Sequence, residues 1–491
     1  MFYRNSLKTY TQTGSQTKSF KLNRSALLAT ASALLATVSI QATANSSDID
    51  QTGTANTAQI TQQNTEVGLI GHITQDGDHN DAGILQVGPV EETIVSDVWQ
   101  TGSSNSAATE QSDIQTAATI SVQQSGSQNE AESVQTGNWE VSSTTEQSGD
   151  FNSVTIHQTQ YNGSTMASQM GTANTASIDQ SSEYLYPHYA TVYQEGENNS
   201  ISVVQTELGH NELSSQQIGT GNYAEVHQRQ SGDVSYGVSA VTMMTNGSGN
   251  QAFVEQDVNP IGEFNLNQSG DYNLVNVYQA GEAMDATITS QESHNNEDAI
   301  FQIGSATDLT INRYNTDNSR VDLLQESYTD DATIEQGFSN GVTAAVTQQG
   351  TIGVSATTRQ INTNDADVTI EQLSTYESTA TIEQTGGVNN SSARINQSSG
   401  MNLIASIYQS DGADMATAEI LQSNDGNTAL IEQINVASTD ALIMQSGTSS
   451  YAEIIQSNGA SNSATINQTG MDHTAAIHQS GSDNSANITQ M

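Results

Sequence analysis

A pattern of alternating polar and apolar residues repeats every eleven to twelve residues along most of this chain. Residues 51–62 read Q-T-G-T-A-N-T-A-Q-I-T-Q and define the template Q-x-G-x-x-N-x-A-x-I-x-Q. In its second part Asn, Ala, Ile and Gln share one parity, which is one face of a β-strand. The preceding x-G-x-x predicts a four-residue turn in which glycine supplies a positive φ angle. Each template therefore predicts one strand and one turn.

The template recurs along almost the whole chain. Further clean copies occupy residues 75–86, 147–158, 169–180, 217–228, 268–279 and 479–490. Aligning every recurrence between Gln51 and Gln490 gives about 38 final template positions, here called ladder positions, all glutamine except Thr245 and Arg313. A repeat this short predicts a β-solenoid of stacked strands with about nineteen two-strand units.

The predicted fold class is all-β. Two strands per unit, joined by a turn, should build two facing parallel sheets in an amyloid-like, cross-β stack. Apolar residues recur at a period of two and not at helical spacing. Pro89, Pro187 and Pro260 all fall in predicted turns, as expected for a residue that cannot donate to a strand ladder.

The spacing between ladder positions is widest from Gln228 to Thr245. This interval contains Met243 and Met244 and predicts a loop or an irregular rung near residues 229–244. Two residues before each ladder position, Ile or Val is almost constant from Ile334 to Ile488, with Thr358 as the exception. The N-terminal half has Thr109, Ser133, Thr145 and Ser215 at that position. We therefore expect the C-terminal half to be the more stable.

Asparagine and glutamine on the inward face need hydrogen-bond partners, because an unpaired buried amide costs roughly 1–3 kcal/mol. Stacking identical amides along the axis lets each side-chain N–H bond the carbonyl oxygen of the next rung. The residues predicted to form this inward ladder are Gln51, Asn56, Ala58, Ile60, Gln62, Gln75, Asn80, Ile84, Gln86, Gln147, Asn152, Ile156, Gln158, Gln169, Asn174, Ile178, Gln180, Gln217, Asn222, Val226, Gln228, Gln268, Asn273, Val277, Gln279, Gln468, Ile477, Gln479, Asn484, Ile488 and Gln490.

Residues 1–44 have the pattern of a secretory signal peptide. A basic segment containing Arg4 and Arg24 precedes an apolar run over residues 26–40. Ala42-Thr43-Ala44 then predicts cleavage before Asn45, which leaves the repeats in residues 45–491 and implies a secreted, extracellular protein. A membrane anchor is the alternative, but the apolar run is too short to span a bilayer.

The composition and charge of the chain exclude several classes of protein. Only 34% of the residues are hydrophobic, as in disordered chains, but disorder predicts no phasing of the aliphatic residues. The absence of cysteine excludes a disulfide framework. After the signal, 54 acidic residues face five arginines and no lysine. Such a surface repels nucleic acid and anionic lipid, so we expect neither nucleic-acid binding nor membrane insertion.

No arrangement typical of an enzyme, cofactor or metal site emerges. The nine histidines are expected in turns and outward positions without a recurring acid or serine partner. Residues 76–81, D-G-D-H-N-D, resemble a calcium loop but lack its terminal glutamate. Trp99 and Trp139 are predicted to point outward, where surface placement is favoured over carbohydrate contact. We therefore expect no catalysis, no cofactor and no metal.

The last template copy ends at Gln490 and only Met491 follows, which predicts an uncapped strand edge in the register that another copy needs. The sequence thus predicts a homopolymer.

Residues 169–180, Q-M-G-T-A-N-T-A-S-I-D-Q, and 268–279, Q-S-G-D-Y-N-L-V-N-V-Y-Q, closely resemble the curlin repeats of bacterial curli subunits. The resemblance extends over nearly all of residues 45–491. It implies a functional amyloid of the biofilm matrix, that is, a fimbrium-like fibre at the cell surface that mediates adhesion. It also implies a curli nucleator or major subunit as a partner and export through the outer-membrane curli secretion pore.

Three features depart from the curli pattern. The repeats are far more numerous than in the familiar subunits, no clear glycine-rich targeting segment follows Ala44, and the basic residues of nucleator repeats are scarce. The subunit role and the export route therefore stay open. The alternative function is a non-polymerising extracellular β-solenoid adhesin or an ice-binding protein. Ice binding should require a regular T-x-T array, whereas the outward positions are mixed.

Overall fold

The computed structural model describes residues 4–6, 35–41, 45–63, 68–88, 93–137, 140–159, 162–182, 187–207, 210–230, 238–258 and 262–491. These residues form 40 β-strands and no helix, which confirms the predicted all-β class. Within the same ranges no helix is long and apolar enough to cross a membrane. The chain divides into two compact units, Met1–Thr242 and Met243–Met491.

In the first unit, odd-numbered strands form one sheet and even-numbered strands form the other. The odd strands are β1 (Arg4–Ser6), β3 (Ser46–Thr52), β5 (Leu69–Asp78), β7 (Ile94–Ser103), β9 (Ala118–Ser127), β11 (Val141–Asp150), β13 (Gly163–Thr172), β15 (His188–Glu197) and β17 (His210–Thr220). The even strands are β2 (Leu35–Gln41), β4 (Thr57–Gln63), β6 (Asp81–Val87), β8 (Ser106–Ser112), β10 (Glu130–Thr136), β12 (Ser153–Thr159), β14 (Thr175–Ser181), β16 (Ser200–Glu207) and β18 (Tyr223–Gln230).

The second unit follows the same plan after β19 (Val238–Ser248). Its further odd strands are β21 (Gly262–Ser269), β23 (Met284–Gln291), β25 (Asp308–Tyr314), β27 (Asp331–Gly337), β29 (Ser355–Asn364), β31 (Thr379–Asn389), β33 (Ile404–Ser410), β35 (Thr428–Ala437), β37 (Tyr451–Ala460) and β39 (Thr474–Ser480). Its even strands are β20 (Gln251–Val258), β22 (Leu274–Glu282), β24 (Glu297–Ser305), β26 (Arg320–Tyr328), β28 (Thr343–Ile352), β30 (Asp367–Leu373), β32 (Ser392–Ser398), β34 (Thr417–Ser423), β36 (Asp440–Gln445), β38 (Ser463–Gln468) and β40 (Ser485–Gln490).

Within each unit, strands pair in parallel with the strand two positions along the chain, as β5 does with β7 and β34 with β36. The register aligns ladder positions, as in Gln100 with Gln124 and in Gln422 with Gln445. One turn of the coil therefore consumes two strands, and the predicted β-solenoid of two facing parallel sheets is confirmed in both units. The exception to parallel pairing in the described strands is β1, which pairs antiparallel with β3.

The core of each unit is the thin seam between the two sheets. Inward residues such as Ile60, Ile84 and Val98 are almost completely buried, while their chain neighbours face solvent. This alternation follows from the two-residue period of the pleated strand. Phe264 and Arg313 are also fully buried, so the seam accommodates larger side chains than the Ala-Ile template predicts.

Two strands lie within the predicted signal peptide. β2 pairs in parallel with β4, with Leu35 opposite Thr57. Ala44 of the expected cleavage site lies outside the described residues, and cleavage stays a prediction. The adjoining Asn45 is buried and its Oδ1 accepts a hydrogen bond of 3.2 Å from the backbone N–H of Leu69.

The irregular stretch expected near residues 229–244 is shorter in the structure. Residues 231–237 lie outside the described part, but 238–244 already belong to β19. Val241, Met243 and Thr245 alternate inward, which is the period of two that a strand requires. Met243 and Met244 therefore belong to a strand, and the loop or irregular rung expected near residues 229–244 stays a prediction for residues 231–237. Pro89, Pro260 and Trp139 also lie outside the described residues, whereas Pro187 directly precedes β15.

Candidate assembly site: the amide ladders and the outer strand pair

Glutamine side chains at the ladder positions form two hydrogen-bonded columns in the first unit, one in each sheet. In the odd-strand column, Gln75 Nε2 donates to Gln100 Oε1 at 2.7 Å. In the even-strand column, Gln86 Nε2 donates to Gln111 Oε1 at 2.9 Å. The second proton of Gln75 Nε2 reaches the backbone carbonyl of Thr57 in the facing sheet at 3.0 Å. Each amide therefore joins neighbouring rungs and also joins the two sheets.

Asparagine side chains form a third column, at the short turns that lead from odd to even strands. Asn105 Nδ2 donates to Asn80 Oδ1 at 3.1 Å and to the carbonyl of Gly126 at 3.0 Å. The backbone N–H of Asn105 also donates to Asn80 Oδ1, at 3.0 Å. Between asparagine side chains, the residue later in the chain donates to the earlier one. Between glutamine side chains, the earlier residue donates to the later one.

The turn glycines stack as closely as the amides. Gly102 has φ +111°, and a Cβ added to it would lie 2.0 Å from the carbonyl oxygen of Gly126 in the next rung. Only glycine therefore fits this column. The residue before each column asparagine is left-handed as well, and it is usually not glycine: His79 has φ 60° and Phe151 has φ 59°. The template does not reveal this second left-handed position.

The inward residues predicted from the template lie in the seam. Those from Gln51 to Gln479 are all buried, and the last three are more open: Asn484, just before β40, is exposed, while Ile488 and Gln490 in β40 are half-buried. The hydroxyl residues of the N-terminal half are also inside; Thr109 and Ser133 bond across the seam, whereas the hydroxyl groups of Thr145 and Ser215 have no hydrogen-bond partner. Ser96 Oγ lies 2.8 Å from Thr109 Oγ1, and Ser133 Oγ lies 2.8 Å from Ser143 Oγ.

The glutamine column of the odd-strand sheet is interrupted in the second unit. Thr245, Ser290 and Arg313 occupy ladder positions there. The expectation that every ladder position except Thr245 and Arg313 is glutamine was therefore wrong at this rung, where Ser290 and not the next residue, Gln291, lies in the column. Ser290 is buried and Gln291 is exposed, because Ser290 shares the parity of the inward residues Ala286 and Ile288.

Arg313 replaces a ladder glutamine as a hydrogen-bond donor. Its Nε donates to Gln336 Oε1 at 2.7 Å, so the column continues beyond it. Its Nη1 donates to Asp298 Oδ2 at 2.7 Å across the seam. Burial raises the pKa of the Asp298 carboxyl, and the guanidinium of Arg313 opposes that rise.

One histidine is not where the sequence placed it. His188 is fully buried in β15, and its Nε2 lies 3.1 Å from the carbonyl oxygen of Ser181. The pKa of His188 is lowered to about 4: burial is the main cause, the hydrogen bond with the Ser181 carbonyl opposes it, and the charge of His210 adds a smaller lowering. The expectation that all nine histidines lie in turns or point outward was therefore wrong for His188, whose parity relative to Gln194 is inward.

The outer strand pair, β39 and β40, presents a rung that is incompletely covered. In β38, Ile466 and Gln468 are 0% exposed. Their register partners in β40, Ile488 and Gln490, are half-buried, although Gln468 Nε2 still donates to Gln490 Oε1 at 2.8 Å. The inward side chains of β40 thus have the positions of an interior rung without its full burial, whereas Ile477 and Gln479 of β39 are buried.

The outward faces carry columns that the template leaves unspecified. In the second unit, one column of the odd-strand sheet consists of threonines: Thr287, Thr310, Thr333, Thr357 and Thr381. A neighbouring column contains Asp285, Asp308 and Asp331. Burial raises the pKa of Asp285, and the negative charges of Asp308 and Glu263 raise it further.

Trp99 points outward as predicted and is 41% exposed. Among the described residues, no group of three or more His, Cys, Asp or Glu side chains is arranged to hold a metal ion.

The fold and its columns define a parallel, two-sheet β-solenoid with internal amide ladders. Residues 459–490 match the family model of the curlin associated repeat. This match confirms the resemblance drawn from the sequence for the segment that it covers, which runs from the end of β37 to the end of β40. No curated protein matches the chain closely enough to be reported.

Proposed function

We propose that this protein is a secreted structural subunit of curli-like amyloid fibres, which polymerises through its strand edges into a biofilm matrix and mediates adhesion. The observation that carries the proposal is the outer strand pair β39 and β40, which lies inside the curlin associated repeat at residues 459–490. The inward side chains Ile488 and Gln490 of β40, and Asn484 just before it, have the phase of an interior rung. A rung of the same pattern from a second copy could stack on this pair in the register that β38 and β40 show, with the same amide hydrogen bonds.

The chemistry of the ladder supports stacking between copies. In the last rungs of the second unit, Ala486 and Ile488 align with Ala464 and Ile466, and the ladder glutamines bond in sequence from Gln445 to Gln468 and from Gln468 to Gln490. The acidic outer faces oppose lateral association, and salt weakens this repulsion. Curlin repeats are generally found in extracellular or cell-surface proteins, which agrees with the predicted signal peptide. A curli nucleator or major subunit and the outer-membrane curli pore are proposed partners by resemblance.

Assembly of purified residues 45–491 tests the proposal. We expect lag-phase growth of dye-binding fibres in high salt and a shorter lag when fragments of the fibres are added as seeds. Ile488→Lys places a charge on the inward face of β40 and should abolish seeding. Asn487→Lys places the same charge on the outward face and should leave assembly intact. A wild-type chain that stays monomeric for days with seeds in high salt would overturn the proposal.

An ice-binding solenoid is the second candidate, favoured by the five stacked threonines from Thr287 to Thr381. Acidic residues of the Asp285 column flank them, so the surface is not a plane of hydroxyl groups alone. Thermal hysteresis of the monomer separates the two candidates, because ice binding requires it and fibre formation does not.

A further inference from the structure

Over four successive rungs of the odd-strand sheet in the second unit, the ladder positions hold Thr245, Gln268, Ser290 and Arg313, so three of the four rungs break the glutamine column. The amide of Gln268 is fully buried, and neither its oxygen nor its nitrogen has a hydrogen-bond partner. An unsatisfied buried amide is costly, and natural folds mostly keep such costs where a function requires the local geometry.

The outer face of these same four rungs is concave. Most of the residues that line the cavity, which has a volume of about 490 Å³, flank these four ladder positions in the chain. They include Met244, Asn246, Asn267, Gln291, Tyr314 and Asn315. The register change that places Ser290 inward also turns Gln291 outward into this cavity. The irregular column inside and the cavity outside are therefore two sides of one feature.

Tyr314 is held in place before any ligand arrives. A Cβ added to Gly337 would fall 2.1 Å from Tyr314 Cζ, so the tyrosine ring lies directly against the glycine backbone. Its hydroxyl donates to Glu335 Oε1 at 3.2 Å, and Phe338 meets it edge-on with ring centroids 5.3 Å apart. A fixed aromatic ring binds a ligand with little loss of side-chain entropy.

The side chains that line the cavity indicate which class of ligand it binds. Side-chain amides both donate and accept hydrogen bonds, which matches the hydroxyl groups of a sugar, and an aromatic ring packs against the C–H face of a pyranose. Glu292 is the one ionisable side chain besides Tyr314 among the described lining residues, and the strongly acidic chain disfavours anionic ligands. The volume falls in the range of small-molecule sites.

We propose that this cavity binds a neutral saccharide, with the ring of Tyr314 against the sugar face and the amides of Asn246, Asn267 and Gln291 on its hydroxyl groups. The site lies on the outward face and is independent of polymerisation through β39 and β40. The saccharide is either a free sugar or a unit of a neutral polysaccharide.

Saturation-transfer NMR on the unpolymerised full chain tests free sugars, using glucose, galactose, mannose, N-acetylglucosamine and their β-linked disaccharides. Co-sedimentation with cellulose and chitin tests the polymeric source. We expect saturable binding in at least one arm, and about tenfold weaker binding after Tyr314→Ala. Tyr408→Ala removes an outward tyrosine elsewhere in the same sheet and should leave the affinity unchanged.

Gln291→Ala is a second test of the site. It should weaken saccharide binding, and because the side chain is exposed it should leave the fold, measured by circular dichroism, unchanged. The proposal is overturned if the wild-type chain binds no member of either panel. It is overturned equally if folded Tyr314→Ala and Gln291→Ala both bind as tightly as wild type.

Discussion

Arg313 and Asp298 form a buried ion pair across the seam of the second unit, with Arg313 Nη1 donating to Asp298 Oδ2 at 2.7 Å and both side chains 1% exposed. Arg313 stands at a ladder position and Asp298 at a template alanine position. Both residues of the pair therefore depart from the repeat, in two facing strands. We expect replacing one of them to destabilise the protein and replacing both to restore its stability.

Arg313→Gln alone should lower the free energy of unfolding by about 3–5 kcal/mol, because it leaves the Asp298 carboxylate buried without its cation. Combining it with Asp298→Ala restores the template at both positions and should recover the wild-type stability or exceed it. Urea denaturation of the three proteins measures this. A double variant as unstable as the single one would show that the two residues act independently.

The glutamine column predicts a contrast between adjacent residues of the same type. Gln124 accepts from Gln100 Nε2 at 2.8 Å and donates to Gln147 Oε1 at 2.8 Å, whereas Gln123 points outward. Gln124→Ala should cost about 2–4 kcal/mol because it removes three buried hydrogen bonds, those to Gln100, to Gln147 and to the carbonyl of Ser106. Gln123→Ala should change stability by less than about 0.5 kcal/mol. Equal denaturation midpoints for the two variants would contradict an internal ladder.

The glycine column makes a similar contrast possible with identical chemistry. Gly102→Ala places a methyl group 2.0 Å from the carbonyl oxygen of Gly126 at φ +111° and should destabilise by at least about 2 kcal/mol. Gly83 lies in β6, where an added Cβ meets nothing within 4 Å. Gly83→Ala should leave stability unchanged or raise it by about 0.5–1 kcal/mol. Thermal unfolding followed by circular dichroism compares the two.

His188 should make the first unit sensitive to acid. Burial lowers its pKa from 6.5 to about 4, so the neutral side chain contributes stability that is present above pH 6.5 and is lost as the pH falls towards 4. The full effect is about 3 kcal/mol. His188→Asn should reduce the loss of stability between pH 7 and pH 4, whereas His157→Asn, at an exposed position, should not. Identical pH profiles for wild type and His188→Asn would refute this assignment.

The alternation of side chains along each strand explains why the sequence predicts the inward residues well. The phase of Asn, Ala, Ile and Gln specifies which side chains point inward, and it follows from a backbone period that every strand shares. The same count also assigns His188, six residues before Gln194, to the inward face, as it does Ser290 beside Ala286 and Ile288. These assignments were missed because residue type was given more weight than phase.

Other features depend on contacts that no local count contains. That Arg313 faces Asp298 depends on which rung of one sheet lies opposite which rung of the other. The saccharide cavity likewise requires four rungs and the ring of Tyr314 over Gly337 to come together. The left-handed residue before each column asparagine, such as Phe151, is imposed by the turn and not by the preference of that residue type.

Register between stacked strands is the central claim, and cysteine pairs test it directly because the chain contains no cysteine. Ser121 is the register partner of Thr144, and Ser125 is the partner of Ser148, all on the outward face of β9 and β11. We predict that Ser121→Cys with Thr144→Cys, and Ser125→Cys with Ser148→Cys, form intramolecular disulfides under mild oxidation, identified by mass spectrometry of the digested monomer. The control proteins exchange the partners, combining Ser121→Cys with Ser148→Cys, and Ser125→Cys with Thr144→Cys. Their cysteines should stay reduced. Disulfides in the exchanged pairs, or equal yields in all four proteins, would contradict the stacked, in-register solenoid.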